Sequence, residues 1–384
     1  MGRKKTDLVI VNRNFWPKSQ VIGEGLLQFA EKAAENHSVC VITQAEGYLE
    51  SQLRAAGRGK GLRIRNCRSY TTSASGLIKR VAEALFFMLW TFISLVRAKP
   101  AKVYVSTNPP VAVPFIVALY CRFFKATYVY HLQDIHPEAA NIVVPLNGLA
   151  FRLLKAIDNY TLRHSKALIT LSEDMKRYIQ LRSDTHSPIY LVDNPSFEVI
   201  PIPMDQRTKD IVFCGNAGRL QRIPLLMTAI RDYIQKGGKM TFTFVGGGLY
   251  VPEIKTLSDT YEQVDYLGFI PATEAAEIVN QHRWALLPID DEVTKYAFPS
   301  KSSGYALSGS GVLAVCGVHT SVARWVEHLK VGIVCEPDHD ALVQCFFCLE
   351  KKNRNNLAIG GRVQERLRIS YFAERLSSVA LGMN

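Results

Sequence analysis

The sequence predicts an α/β protein of two doubly wound, parallel-sheet domains facing a central cleft. Three observations predict it. Short apolar runs alternate with helical stretches in both halves of the 384 residues. Those runs are apolar throughout rather than every second residue, as strands covered on both faces are. A proline-bearing passage, "DNPSFEVIPIPMD" at 193–205, interrupts the alternation midway. Length agrees, since a chain of this size outgrows a single small core.

In the first half, "DLVIVN" (7–12), "VCVIT" (39–43), "KVYVST" (102–107), "ATYVYHL" (126–132) and "KALITLS" (166–172) read as parallel strands. The crossover helices are expected at 24–36, 109–125 and 148–164. In the second half the strands are "DIVFCGNAG", "MTFTFVGGG", "QVDYLGF", "WALLPI", "GVLAV" and "VGIVCE". Residues 362–381 read as an amphipathic helix. The expected division is 1–198 and 199–365, with 366–384 packing back towards the first domain. Ligands of such sheets lie at the carboxyl ends of the strands.

Composition narrows the class. A hydrophobic share of 48% with 21% charged residues is that of a folded protein. The eight cysteines are scattered, and the single CxxC (Cys345, Cys348) has no second pair to complete a zinc site. No secretory signal is read, because "TDLVIVN" begins a strand directly after "MGRKK". The loose acylation pattern of that opening is set aside. The charge is uneven: residues 1–199 hold 26 Lys and Arg against 15 Asp and Glu, and residues 200–384 hold 20 against 19. Residues 51–82 carry eight basic side chains and no acid, which points to an anionic partner. Next to them, "VAEALFFMLWTFISLV" (81–96) is apolar but shorter than the ~20 residues a bilayer span needs. It reads either as a buried core helix or as an interfacial helix on a membrane.

Four segments carry candidate chemistry. In "FCGNAGRLQRIPLL" (213–226), Gly215 and Gly218 allow close backbone approach, and Arg219 and Arg222 supply cations for a phosphate. "FVGGGLYVPEI" (244–254), with Gly246, is a second strand–glycine–helix turn. "FPSKSSGYALSGSGVLAV" (298–315) puts Lys301 among glycines and serines before a buried strand, and its plain reading is an ordinary helix–strand connection. "HLQDIHPEAA" gathers His131, Asp134, His136 and Glu138 at a strand's carboxyl end. That is a hydrogen-bonding and acid–base patch rather than a metal site, because the spacing does not converge the side chains. No nucleophile elbow appears.

Taken in order, these motifs resemble the family 4 retaining glycosyltransferases of the GT-B fold. The likeness is greatest to the bacterial branch that builds O-antigen, colanic acid and other surface polysaccharides and exopolysaccharides. It runs from "NFWPKSQVIGEG" and "ENHSVCVIT" through "QDIHPE" and "LITLSEDM" to "GNAGRLQ", "FVGGG", "LGFIP" and "PSKSSGYALSGSGVLAV". The resemblance implies transfer of a sugar from a nucleotide sugar, UDP-linked in the first instance, with retention, no metal and no cofactor. By position it places Gly215, Asn216, Arg219 and Gln221 in the diphosphate turn, and Ser300 and Lys301 in a second phosphate loop. Gly23 falls near the donor phosphates, and Asp134 and Glu138 fall towards the reacting sugar and acceptor.

The family's Glu-x7-Glu pair is replaced by Tyr296 and Gly304, so either the ribose is held another way, by the hydroxyls of Ser302 or Ser303, or donor binding is weakened. The implied acceptor is a polyprenyl-diphosphate-linked sugar. The implied location is cytoplasmic and peripheral, with the basic first domain on the anionic inner face of the membrane and no nucleic-acid partner. The alternative from another class is a catalytically silent relative acting as a scaffold, and a GT-B epimerase or phosphorylase stands behind it.

Overall fold

The computed structural model describes residues 5–71, 76–351 and 360–382. The chain divides into two compact units. One runs to Asp193 and resumes at Ile369, and the other is Asn194–Arg368. The divisions thus fall at 193/194 and 368/369, against the expected 198/199 and 365/366.

The first unit is built in the order β1 (Thr6–Val11), α1 (Ile22–Ala34), β2 (Val39–Ala45), α2 (Leu49–Ala55), β3 (Arg63–Arg68), α3 (Leu77–Ala98) and β4 (Pro100–Ser106). It continues with α4 (Ala112–Phe124), β5 (Thr127–His131), α5 (Glu138–Val143), α6 (Gly148–His164), β6 (Ala167–Thr170), α7 (Glu173–Ser183) and β7 (Ile189–Leu191). The strands form one sheet in the order β3-β2-β1-β4-β5-β6-β7, and every pairing is parallel. The order reverses between β1 and β4, where a doubly wound sheet opens a crevice. The interior strands are the apolar runs: Leu8, Val9 and Ile10 of β1 and Val103 and Val105 of β4 have no exposed surface.

The second unit is β8 (Lys209–Cys214), α8 (Ile223–Gln235), β9 (Phe242–Val245), α9 (Val251–Thr260), β10 (Val264–Gly268), α10 (Ala272–Asn280) and β11 (His282–Pro288). Then follow α11 (Ser302–Leu307), β12 (Gly311–Val315), α12 (Ser321–Leu329), β13 (Gly332–Cys335), α13 (His339–Lys351) and α14 (Gly361–Leu367). Its sheet is also parallel, in the order β10-β9-β8-β11-β12-β13, and reverses between β8 and β11. α15 (Ile369–Leu381) returns to the first unit and buries Phe372, Leu376 and Ala380 in its core. It lies so close to α1 that a side chain on Gly25 would stand 2.7 Å from the Phe372 ring. The final helical stretch expected as one element is therefore two, broken at Arg368.

α3 also differs from expectation. It is 22 residues long, or about 33 Å at 1.5 Å per residue, and is long and apolar enough to cross a bilayer by length and composition. Its packing instead seats it on the first unit, where Phe87 and Leu95 are fully buried against α4 and the sheet.

Candidate active site

In the second unit, three strand ends are stitched together by backbone hydrogen bonds. Gly215 N–H reaches the Val245 carbonyl at 2.7 Å, Ala217 N–H reaches Gly247 at 2.7 Å, and Gly246 N–H reaches Gly268 at 2.7 Å. The two glycine turns nest so closely that a Cβ on Gly246 would meet the Gly215 carbonyl oxygen at 2.2 Å. Gly215 itself has φ +141°, and a Cβ there would lie 1.9 Å from Lys301 Nζ. Its glycine is required twice, by backbone conformation and by the lysine lying across its bare α-carbon.

Lys301 is held over this turn by its neighbours. Tyr305, fully enclosed one turn on, donates its hydroxyl to the Cys214 carbonyl at 2.9 Å and accepts from Cys214 N–H at 3.0 Å, which ties α11 to the end of β8. The ammonium stands 4.8 Å from the Phe213 ring centroid, a cation–π contact. Among the described residues it makes no ion pair and no hydrogen bond. Burial pushes its pKa down to about 8. A half-buried cation lacking an anion, beside bare backbone at a sheet's switch point, is a place for an anionic ligand. Tyr305 is the positioning residue that the sequence did not single out.

The remaining second-unit candidates sort by what they touch. Arg219 and Asn216 are exposed, and Arg219 makes no ion pair among the described residues. Arg222, expected as a phosphate cation, is committed elsewhere. Its Nε donates to the Ile289 carbonyl at 2.9 Å and its Nη2 to Asp291 Oδ1 at 3.0 Å, which braces the loop after β11. Gln221 spends its side-chain carbonyl on Gly218 N–H at 3.1 Å, leaving only its amide N–H groups for a ligand. Ser300 is exposed. Ser302 and Ser303 are each 1% exposed, and Ser302 donates to the Pro299 carbonyl at 2.9 Å, so the expected ribose hydroxyls face inward. Gly304 is small for a local reason: a Cβ there would lie 2.9 Å from Ser196 Oγ. Tyr296 donates its hydroxyl to Glu292 at 2.9 Å.

In the first unit, His131 is withdrawn from any ligand. It has no exposed surface, its Nδ1 meets the Tyr104 hydroxyl at 2.5 Å, and burial drops its pKa to about 3, so it is a neutral core histidine. Glu138, expected beside the reacting sugar, is likewise locked away. It is 5% exposed and accepts from the Tyr178 hydroxyl at 2.7 Å and from Arg182 Nη1 at 2.8 Å. Gly23 lies buried in the first turn of α1, where a Cβ would strike the Phe15–Trp16 backbone at 2.8 Å, so packing accounts for it. Asp134 stays open: it is half-buried, its carboxylate has no hydrogen bond or ion pair among the described residues, and burial raises its pKa to about 6. Among the described residues no three His, Cys, Asp or Glu side chains gather as a metal site would require.

The acid-free run of basic residues is partly neutralised from elsewhere in the unit. Arg58 pairs with Glu24 at 2.9 Å and with Glu31 at 2.8 Å, and Arg54 pairs with Glu50. Arg68, Lys79 and Arg80 remain exposed. Beside them α3 presents Ile78, Val81, Leu85, Phe86 and Leu89 to solvent, at the three- and four-residue spacing of one helix face.

Residues 22–188, under half of the chain, match the family described as "Glycosyl transferase 4-like domain". A curated relative from Pseudomonas aeruginosa, "Probable glycosyltransferase WbjE", is 25% identical over 262 residues, covering 63% of this chain and 64% of the relative. The match thus spans just under two thirds of that protein. Among solved structures, Anabaena Alr3699/HepE in complex with UDP superposes with a TM-score of 0.64 at 14% identity, covering 98% of this chain and 100% of that one. WaaG, a glycosyltransferase involved in lipopolysaccharide biosynthesis, gives 0.64 at 12% identity over 98% and 100%. The fold is that of the GT-B glycosyltransferases, and residues 22–188 are similar to the glycosyl transferase 4-like domain.

Proposed function

We propose that the protein is a retaining glycosyltransferase that moves a sugar from a nucleotide-sugar donor, UDP-linked, to a polyprenyl-diphosphate-linked acceptor of a surface polysaccharide. The observation that carries this reading is Lys301, an unpaired ammonium laid across the bare backbone of Gly215. The leaving group of such a transfer is a nucleoside diphosphate. Its growing charge needs fixed donors, which Lys301 and Arg219 supply. The acceptor hydroxyl attacks the anomeric carbon, the bond from that carbon to the phosphate oxygen breaks, and the hydroxyl proton passes to the departing phosphate oxygen on the same face. Asp134 orients the acceptor or supports the positive charge of the oxocarbenium-like state. Neither the step nor the phosphate grip calls on a metal. The enzyme is favoured over a silent scaffold because Gly215, Arg219, Lys301 and Asp134 are all retained. UDP as donor nucleotide is supported by the bound UDP of HepE, and the polysaccharide acceptor by WaaG. A thermal-shift panel of UDP-, GDP- and ADP-sugars tests the reading. A rise in Tm with UDP-sugars alone supports it, and no rise with any of them removes it.

The same reading puts the first unit on the cytoplasmic face of an anionic membrane, through the exposed face of α3 and the cations beside it. Each basic residue near such a surface contributes ~1 kcal/mol. Vesicle co-sedimentation checks this. Binding should require anionic lipid, weaken as salt rises, and fall when Arg68, Lys79 and Arg80 are neutralised. Equal partition with neutral vesicles contradicts it.

A further inference from the structure

Among the described residues Asp134 makes no hydrogen bond or ion pair that fixes its own carboxylate, so the turn that carries it must be held by its neighbours. Thr107 Oγ1 accepts from Gln133 N–H at its start at 3.2 Å, and one buried cation gathers its far end. Arg182, on α7, is 1% exposed. Its Nη1 donates both to the His136 carbonyl at 3.0 Å and to Glu138 Oε2 at 2.8 Å, on the two sides of Pro137. Its Nη2 meets Asp158 Oδ2 on α6. Asp158 has no exposed surface and also accepts from the Tyr130 hydroxyl of β5 at 3.0 Å. The planar fork therefore spans β5, the turn after it, α6 and α7 at once. A lysine cannot do this, because its three donors share one nitrogen whereas the two Nη groups of arginine reach partners on separate elements. Burying a cation between two carboxylates is an expensive way to fill space, and apolar residues often stabilise a core as well. What they do not offer is a hydrogen bond to one chosen backbone carbonyl.

We infer that Arg182 is a positioning residue for the transfer reaction, fixing the 133–138 turn and through it the Asp134 carboxylate at the carboxyl end of β5. The inference rests on the reading of Asp134 as facing the reacting sugar. It gives Glu138 a purpose too, as the anion that completes the anchor.

The test compares Arg182→Gln, Arg182→Lys and Asp134→Asn with the wild type, using two readouts. The first is amide hydrogen exchange across 132–141. The second is kcat per nucleotide-binding site, with sites counted by UDP titration so that any unfolded fraction drops out. The donor is the nucleotide sugar chosen by the thermal-shift panel. Arg182→Gln should speed exchange of the 134–139 amides and lower kcat per site by about 10- to 100-fold, the scale for a catalytic group misplaced by about 1 Å. KM for the donor should stay within about twofold, because the phosphate grip lies on the other unit. Arg182→Lys should recover part of the loss. Should Arg182→Gln not fold, Glu138→Gln removes one arm of the anchor at equal size and should show the same two changes. A fall in Tm with unchanged exchange at 134–139 and unchanged kcat per site would reduce Arg182 to a scaffold residue and overturn the inference. Full turnover in Asp134→Asn would overturn the reading of Asp134, and the inference with it. That outcome is distinguishable, because the turn would still loosen in Arg182→Gln.

Discussion

The turn after β5 in the first unit and the turn after β8 in the second were alike on paper. Each is a strand's carboxyl end followed by a short run of charged or small residues. The structure shows opposite designs. After β5 the charges are mostly spent on one another: Glu138 and Asp158 pair with Arg182, Glu138 also pairs with Lys155, and Asp134 has no ion pair among the described residues. After β8 the backbone itself is the surface, two nested glycine turns with one half-buried lysine across them. The difference teaches a rule for both sites. The candidates for chemistry are the charges left without a partner, and those with partners hold them in place.

Lys301→Ala and Arg219→Ala break that rule most directly. Each should lower turnover by ~100-fold or more, the scale for losing one charge stabiliser of a transition state. Neither should lower Tm much, since among the described residues neither side chain has an ion pair or hydrogen bond to lose and the one contact removed is the Lys301–Phe213 cation–π pair. Thermal melts and steady-state kinetics measured together check both halves of the statement.

Arg222→Ala should do the reverse. It leaves the Ile289 carbonyl without its side-chain donor and Asp291 with the Gly317 N–H alone, so stability should fall by about 1–3 kcal/mol while turnover per folded molecule drops far less. Denaturant unfolding measures this. A turnover loss matching that of Arg219→Ala would mean that pairing does not separate the two roles. The smallest expected effect is that of Ser302→Ala and Ser303→Ala, whose side chains are enclosed. Donor KM should move by less than about threefold, whereas a direct hydrogen bond to the ribose, worth ~1 kcal/mol, would move it more.

Much of the fold was legible because parallel strands announce themselves as unbroken apolar runs. All six strands of the second unit and five of seven in the first were visible in this way. The two that were not, β3 ("RIRNCR") and β7 ("IYL"), are the outer strands of the sheet, where one is charge-rich and the other three residues long. α3 was read too short because Lys79, Arg80 and Arg97 looked like ends, although exposed cations are ordinary on a helix that is only partly covered. At the site, the Gly215–Lys301 contact was foreshadowed by residue type, since a turn that must admit a close approach needs glycine. What the sequence could not show is pairing. Arg219 and Arg222 are three residues apart and chemically identical, and only the position of Asp291 in space separates them. His131 and Glu138 were misread for the same reason. A motif places residues on a loop, but burial decides which way they face.

The account's central claim is that Lys301 grips the diphosphate, and titration calorimetry of UDP against pH tests it most directly. Burial holds the free ammonium at about 8, below its ordinary value, and a bound diphosphate favours the charged form. Affinity should therefore be level between pH ~7 and ~8 and fall above that by up to about tenfold per pH unit, in a range where phosphate groups no longer titrate. The unliganded protein carries the opposite sign. Between about 8 and the ordinary lysine value the unfolded chain binds the extra proton, so the contribution of Lys301 to stability rises with pH there. In Lys301→Ala, UDP should bind weakly at every pH in that range, with no inflection near 8. Wild-type affinity in the variant, or the same inflection in both proteins, would contradict the claim and place the phosphate grip elsewhere.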